Sequence, residues 1–171
     1  MSGVSIPSAL DLPDQRVKKV AQALISRIVR DTKFRTNVCE AYDYQCAITG
    51  MRIVDRSGNT EAHAAHIFAV AEGGPDVVQN GIALSGTIHW LFDHYLISLT
   101  DDHRLMVAVD SNPAELQSLM VKAGKKILLP KKLNEHPYPK YLQRHREKFM
   151  ARQGGFDAPE NIRFFGLTPI D

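Results

Sequence analysis

The sequence predicts an α+β fold, on three observations. Val17, Val20, Leu24 and Ile28 recur every three or four positions and mark one face of an amphipathic helix near the N-terminus. Two stretches, Ala47–Val54 and Thr60–His66, flank Asp55-Arg56-Ser57-Gly58-Asn59 and read as strands joined by a turn, because Ser, Gly and Asn there tolerate positive φ. A further helix starts near Ser85, a good N-cap, and runs to about Tyr95. Between strand and helix, Gly73-Gly74-Pro75-Asp76 continues no regular element.

Met1–Leu12 reads as an irregular arm, and Pro13 suits a first helical turn. Ala21 and Ile25 widen the apolar stripe, while Arg16, Lys18, Lys19, Arg27 and Arg30 occupy the other faces. This helix either caps the core or forms a dimer interface. A second short helix is expected over Phe34–Tyr42, with Phe34, Val38 and Ala41 pointing inward.

Beyond the Ser85 helix, Tyr95–Leu99 and Arg104–Val109 read as a hairpin around Asp101-Asp102. Pro113–Ala123 is expected to be helical, capped by Ser111 or Asn112 and stopped by Gly124. Ile127–Leu129 reads as a short strand or extended piece ended by Pro130, and Pro137–Met150 as a last, basic helix. Gln153–Asp171 reads as an extended tail, whose Phe156, Phe164, Phe165 and Leu167 suggest that it docks on this chain or on a partner. Residues 1–42, 43–152 and 153–171 are thus expected as N-terminal arm and helices, central domain and tail.

A chain of 171 residues suits one domain with appendages, and that length buries about 70% of its unfolded surface. Cys39 and Cys46 are its only cysteines, too few for a four-cysteine structural zinc, and Cys46 reads as a small buried apolar residue. No run reaches the length of a membrane span, and Met1–Leu12 has no basic-then-apolar leader pattern, so the default expectation is a cytoplasmic protein with no membrane partner. The net charge is +2 but unevenly spread. Residues 36–121 carry three Lys or Arg against eleven Asp or Glu, whereas residues 122–152 carry ten against two. The basic segment, with Lys125, Lys126, Lys131, Lys132, Arg144 and Arg146, has the makings of a phosphate track on DNA.

The residues capable of chemistry gather in the central acidic stretch. His63 and His66 lie on the second expected strand, and His89 and Asp93, four apart, share a face of the Ser85 helix. His94 and His103 read as exposed helix-end and turn residues, and Trp90, Leu91 and Phe92 as core.

Five separated pieces fall in order with family spacing: Cys46-x-x-Thr49-Gly50, Ala65-His66-Ile67, Gly73-Gly74, Asn80-Gly81 and His89-Trp90-Leu91-Phe92-Asp93. Together they resemble the HNH, or ββα-metal, endonucleases, in the Ala-His-Ile / His-x-x-Phe-Asp subgroup found in bacterial restriction and phage-defence nucleases. The resemblance covers about a third of the chain. It implies a ββα-metal core with N-terminal helices, an extra hairpin and a basic C-terminal helix. It also implies a metal-dependent DNA endonuclease with a role in restriction or phage defence. His66 would be the general base, Asn80 would orient the loop or the base, and His89 with Asp93 would hold one divalent cation. Mg²⁺ or Mn²⁺ suits such donors, with Ni²⁺ and Zn²⁺ also admitted.

One position departs from the family. Many members place a metal-binding Asp or His just before the catalytic His, where this chain has Ala65. Strand alternation puts His63 on the Ala65 face, so either His63 or a water would fill that place. One site cuts one strand, so a double-strand break implies a homodimer. Two readings stand beside this one: a non-catalytic DNA-binding module with a degenerate metal site, and a structural scaffold for protein contacts.

Overall fold

The computed structural model describes residues 15–108, 126–153 and 162–164. The expected helix at Pro113–Ala123, the arm at Met1–Leu12, and Pro13 and Lys125 lie outside the described residues, as does most of the tail.

Helix α1 spans Gln15–Ala41 without interruption, where the sequence had suggested two helices. The reason is local: no Gly or Pro occurs between residues 15 and 41, so nothing stops propagation across Arg30–Lys33. The helix is about 40 Å long, and only its C-terminal part joins the core. Phe34, Val38, Cys39 and Tyr42 are buried, whereas Val17, Val20, Leu24 and Ile28 stay 54–63% exposed. The apolar stripe read from the sequence therefore does not cap the core among the described residues.

The chain leaves α1 through Asp43 and Tyr44, both at positive φ, with Tyr44 N–H donating to Cys39 O at 2.8 Å. The expected strand at Ala47–Val54 does not form. Gly50, at φ 71°, closes a tight turn in which its N–H reaches Cys46 O, so the run folds back at once. What remains is a single bridge, Val54 to Thr60, over the Asp55–Asn59 turn. There Asp55 Oδ1 accepts from the Ser57 and Asn59 N–H groups, both at 2.8 Å.

Strand β1, His63–His66, pairs instead with β2, Gly81–Leu84, antiparallel and with His66 opposite Gly81. Ile82, Ala83 and Leu84 are fully buried, which explains why this strand lacks the alternation that marks a half-exposed one. Helix α2 follows at Gly86–Asp93, with Ser85 as its N-cap. Leu91 and Phe92 enter the core as expected, but Trp90 is 55% exposed and stacks on His94. Its place on the outer face of a short helix overrides its size.

Strands β3, Ile97–Leu99, and β4, Leu105–Ala108, form the expected hairpin. Ile162–Phe164 from the tail adds β5 antiparallel to β4. The piece at Ile127–Leu129 is not a strand. Leu128 N–H donates to Ala47 O, and Arg104 and Lys126 form an isolated bridge. Helix α3, Pro139–Arg152, starts with Pro139 at its first position and lays Leu142, His145 and Phe149 into the core. The architecture is α+β. A ββα unit carries α1 on one side, and α3 packs on β3 beside it.

Candidate active site

Two close approaches set the shape of the site. Gly81 lies so near α1 that an added Cβ would stand 2.3 Å from a Val38 methyl carbon, so only glycine lets the helix seat on the hairpin there. One turn earlier, Phe34 stacks on the His66 ring with centroids 3.8 Å apart.

The loop between β1 and β2 is held by Asn80, which is fully buried. Its Oδ1 accepts from Phe68 N–H at 2.8 Å, and its Nδ2 donates to Phe68 O and Pro75 O at 2.9 and 3.0 Å. A buried amide with three partners is an expensive group to replace. Gly74 completes the closure, since a Cβ there would collide with the Phe68 carbonyl at 1.9 Å. Asn80 thus ties both ends of the loop together.

That closure delivers a residue the sequence reading had not assigned. Asp76 Oδ1 lies 2.9 Å from His66 Nε2. An ionised carboxylate only accepts, so His66 carries its proton on Nε2 and leaves Nδ1 as the basic nitrogen. On α2, His89 Nε2 and Asp93 Oδ2 are 3.3 Å apart, with Asp93 the more exposed.

His66, Asp76, His89 and Asp93 line one cleft of roughly 500 Å³, with Arg27, Arg30 and Asp31 of α1 on its rim. His63 is exposed and is not among the lining residues; its ring centroid lies 6.3 Å from that of His89. Among the described residues, no three His, Cys, Asp or Glu side chains form a ready-made metal cluster. His89 and Asp93 offer one imidazole nitrogen and one carboxylate. That donor set fits a hard octahedral ion that keeps waters and takes substrate phosphate oxygens, and it falls short of a closed tetrahedral zinc site.

The basic residues picked from the sequence sit elsewhere. Lys131 and Lys132 border a separate cleft, and Lys132 pairs with Glu135 at 2.9 Å. Arg144 lies 3.6 Å from Glu147. Arg146 donates to Leu99 O and to Asp101 Oδ1, tying α3 to the β3 end. Lys126 is exposed beside its bridge to Arg104.

Behind the site, His145 fastens α3 to α2 and β3. Its Nε2 donates to Phe92 O at 3.0 Å and its Nδ1 accepts from the Ser98 hydroxyl at 2.9 Å. Burial pushes this imidazole down to about 4, so it stays neutral.

Residues 46–100 match the family model described as HNH endonuclease. This segment is similar to an HNH endonuclease domain. It holds β1, β2, α2 and β3, and with them His66, Asn80, His89 and Asp93. The chain is also similar in fold to a solved structure described as a modification dependent TagI restriction endonuclease. The TM-score is 0.51 and the identity 22%, over 68% of this chain and 37% of that one. The chain thus spans little more than a third of that protein's length. No curated protein matches the chain. No helix among the described residues is long and apolar enough to cross a membrane.

Proposed function

We propose that the HNH domain makes this chain a metal-dependent DNA endonuclease, with His66 as the general base. The observation that carries the reading is the cleft itself, which brings the His66–Asp76 pair and the helical His89–Asp93 pair together in a segment that matches the HNH family. His66 Nδ1 takes a proton from the attacking water while Asp76 holds the ring and offsets the charge it gains. Phe34 fixes the ring plane from behind.

His89 and Asp93 would hold one divalent cation, Mg²⁺ or Mn²⁺. The bound cation would stabilise charge on the scissile phosphate and its leaving oxygen. Asn80 contributes indirectly, because the loop it ties carries Asp76. His63, whose ring centroid lies 6.3 Å from that of His89, would offer a further donor at the place of Ala65.

A role in restriction, and hence in antiviral defence, is supported by the fold shared with a restriction endonuclease. The basic residues Lys126, Lys131, Lys132, Arg144 and Arg146 would meet phosphates away from the cut. Cutting both strands takes two sites, and the exposed apolar face of α1 supports a homodimer. The test is incubation of supercoiled plasmid with the purified protein and Mg²⁺ or Mn²⁺, beside an EDTA control. Nicked or linear product that EDTA abolishes is expected. Intact plasmid with every divalent cation tried contradicts the reading.

A further inference from the structure

The wall of the cleft that faces the HNH residues comes from α1, which lies outside residues 46–100. Arg27, Asp31, Phe34 and Val38 follow one another at helical spacing and share a face. The C-terminal end of that face is locked, with Phe34 stacked on His66 and Val38 against Gly81. Its N-terminal end carries Arg27 and Arg30 over the mouth of the same cleft. The position of the two guanidiniums therefore follows from the packing of Phe34 and Val38 one and two turns further on.

Their partners leave them available. Arg27 is 72% exposed, and among the described residues its one ion-pair partner, Asp31, is 3.9 Å away, at the edge of an ion pair. Among the described residues, Arg30 has no carboxylate within ion-pair distance. The opposite wall carries the carboxylates Asp76 and Asp93, which repel a phosphodiester. Arginines on the facing wall counter that repulsion, and a planar fork of donors matches two phosphate oxygens.

We infer that Arg27 and Arg30 bind the DNA backbone beside the scissile phosphate and hold it against His66, His89 and Asp93. The inference rests on the nuclease reading above. It assigns a substrate-binding role to a helix that the HNH motif does not include. The two residues are positioning residues, so their loss acts on binding more than on the chemical step.

The experiment compares the unsubstituted protein with Arg27→Gln/Arg30→Gln and with Asp31→Asn. Binding of a labelled duplex is followed by anisotropy in EDTA across a salt series, and cleavage is followed with Mg²⁺ or Mn²⁺. Two lost phosphate contacts reduce the steepness of log K against log salt by about 2. Charged hydrogen bonds of this kind correspond to a loss of about 10- to 100-fold in affinity. KM should rise by a similar factor, with kcat changed much less. Asp31→Asn should move the other way and tighten binding a few-fold, because it frees Arg27.

A double variant with unchanged salt slope and KM overturns the inference and leaves the nuclease reading standing. A double variant that lowers kcat alone also overturns it. An unsubstituted protein that neither binds nor cuts duplex DNA overturns both. All three positions are solvent-exposed on a helix, and circular dichroism of each variant confirms that the fold is retained before binding is compared.

Discussion

Phe34 of α1 and His66 of β1 lie face to face, with ring centroids 3.8 Å apart and planes within 7° of parallel. A side chain from outside the HNH segment therefore fixes the plane of the candidate base. Phe34→Leu keeps most of the buried volume and loses the flat face. It should cost about 1–2 kcal/mol of stability and lower kcat about 10-fold. Thermal melting and plasmid nicking measured on one preparation separate the two effects. A variant that melts early but nicks at the full rate would deny Phe34 any part in holding His66.

Gly81 is the point where helix and hairpin meet most closely. Gly81→Ala pushes a methyl group into Val38 and should destabilise by about 1–3 kcal/mol. Val38→Ala makes room for that methyl, so the double variant should be more stable than the sum of the single losses allows. Chemical denaturation of the four proteins in the cycle gives the coupling directly.

Asp76→Asn leaves a hydrogen-bonding group beside His66 Nε2 and removes the negative charge. The expected result is a fall in kcat of about 10- to 100-fold, the usual effect of removing a carboxylate that orients a functional histidine. KM and the melting temperature should change little. Full activity in this variant would mean that the Asp76 contact is only structural.

His145 gives the protein a pH-dependent stability that is separate from catalysis. Its pKa falls from an ordinary value of 6.5 to about 4 on folding, because burial disfavours the imidazolium. The unfolded chain therefore binds the proton more readily. Stability contributed by neutral His145 is intact above about pH 6.5 and is lost as pH falls from there towards 4, below which both states are protonated. The loss should reach on the order of 3 kcal/mol. His145→Gln keeps a donor and an acceptor without titrating, and should flatten the stability–pH curve over that window. The comparison is made by denaturant unfolding at several pH values between 7 and 4.

The helix Gly86–Asp93 and the hairpin at Ile97–Ala108 were legible in the sequence because each has a local signal, a Ser85 cap in one case and an Asp-Asp turn in the other. The partner of β1 was not. Ala47–Val54 has the β-branched residues expected of a strand, yet the turn at Gly50 folds it. Ile82-Ala83-Leu84 is too short and too uniformly apolar for periodicity to separate from a buried loop. The length of α1 differs from the two helices expected, because no Gly or Pro stands between residues 15 and 41 to separate the Val17–Ile28 stripe from Phe34–Tyr42.

Within the site, the family resemblance already joined His66, His89 and Asp93, and the three side chains line one cleft. Asp76 was hidden because its approach to His66 depends on Gly74 closing the loop and on Asn80 tying it, both of which are tertiary contacts. In the sequence, Arg27 and Arg30 stand out only as residues on the faces away from the apolar stripe. The seating of Phe34 and Val38 shows that they overhang the cleft.

The most direct measurement compares nicking of supercoiled plasmid by the unsubstituted protein and by His66→Ala, in Mg²⁺ or Mn²⁺ and at matched protein concentration. With His66 as the general base, the variant should still bind DNA and nick it about 10²- to 10⁴-fold more slowly. Nicking by His66→Ala at the unsubstituted rate would contradict that assignment, and with it the role given to Asp76 and Phe34.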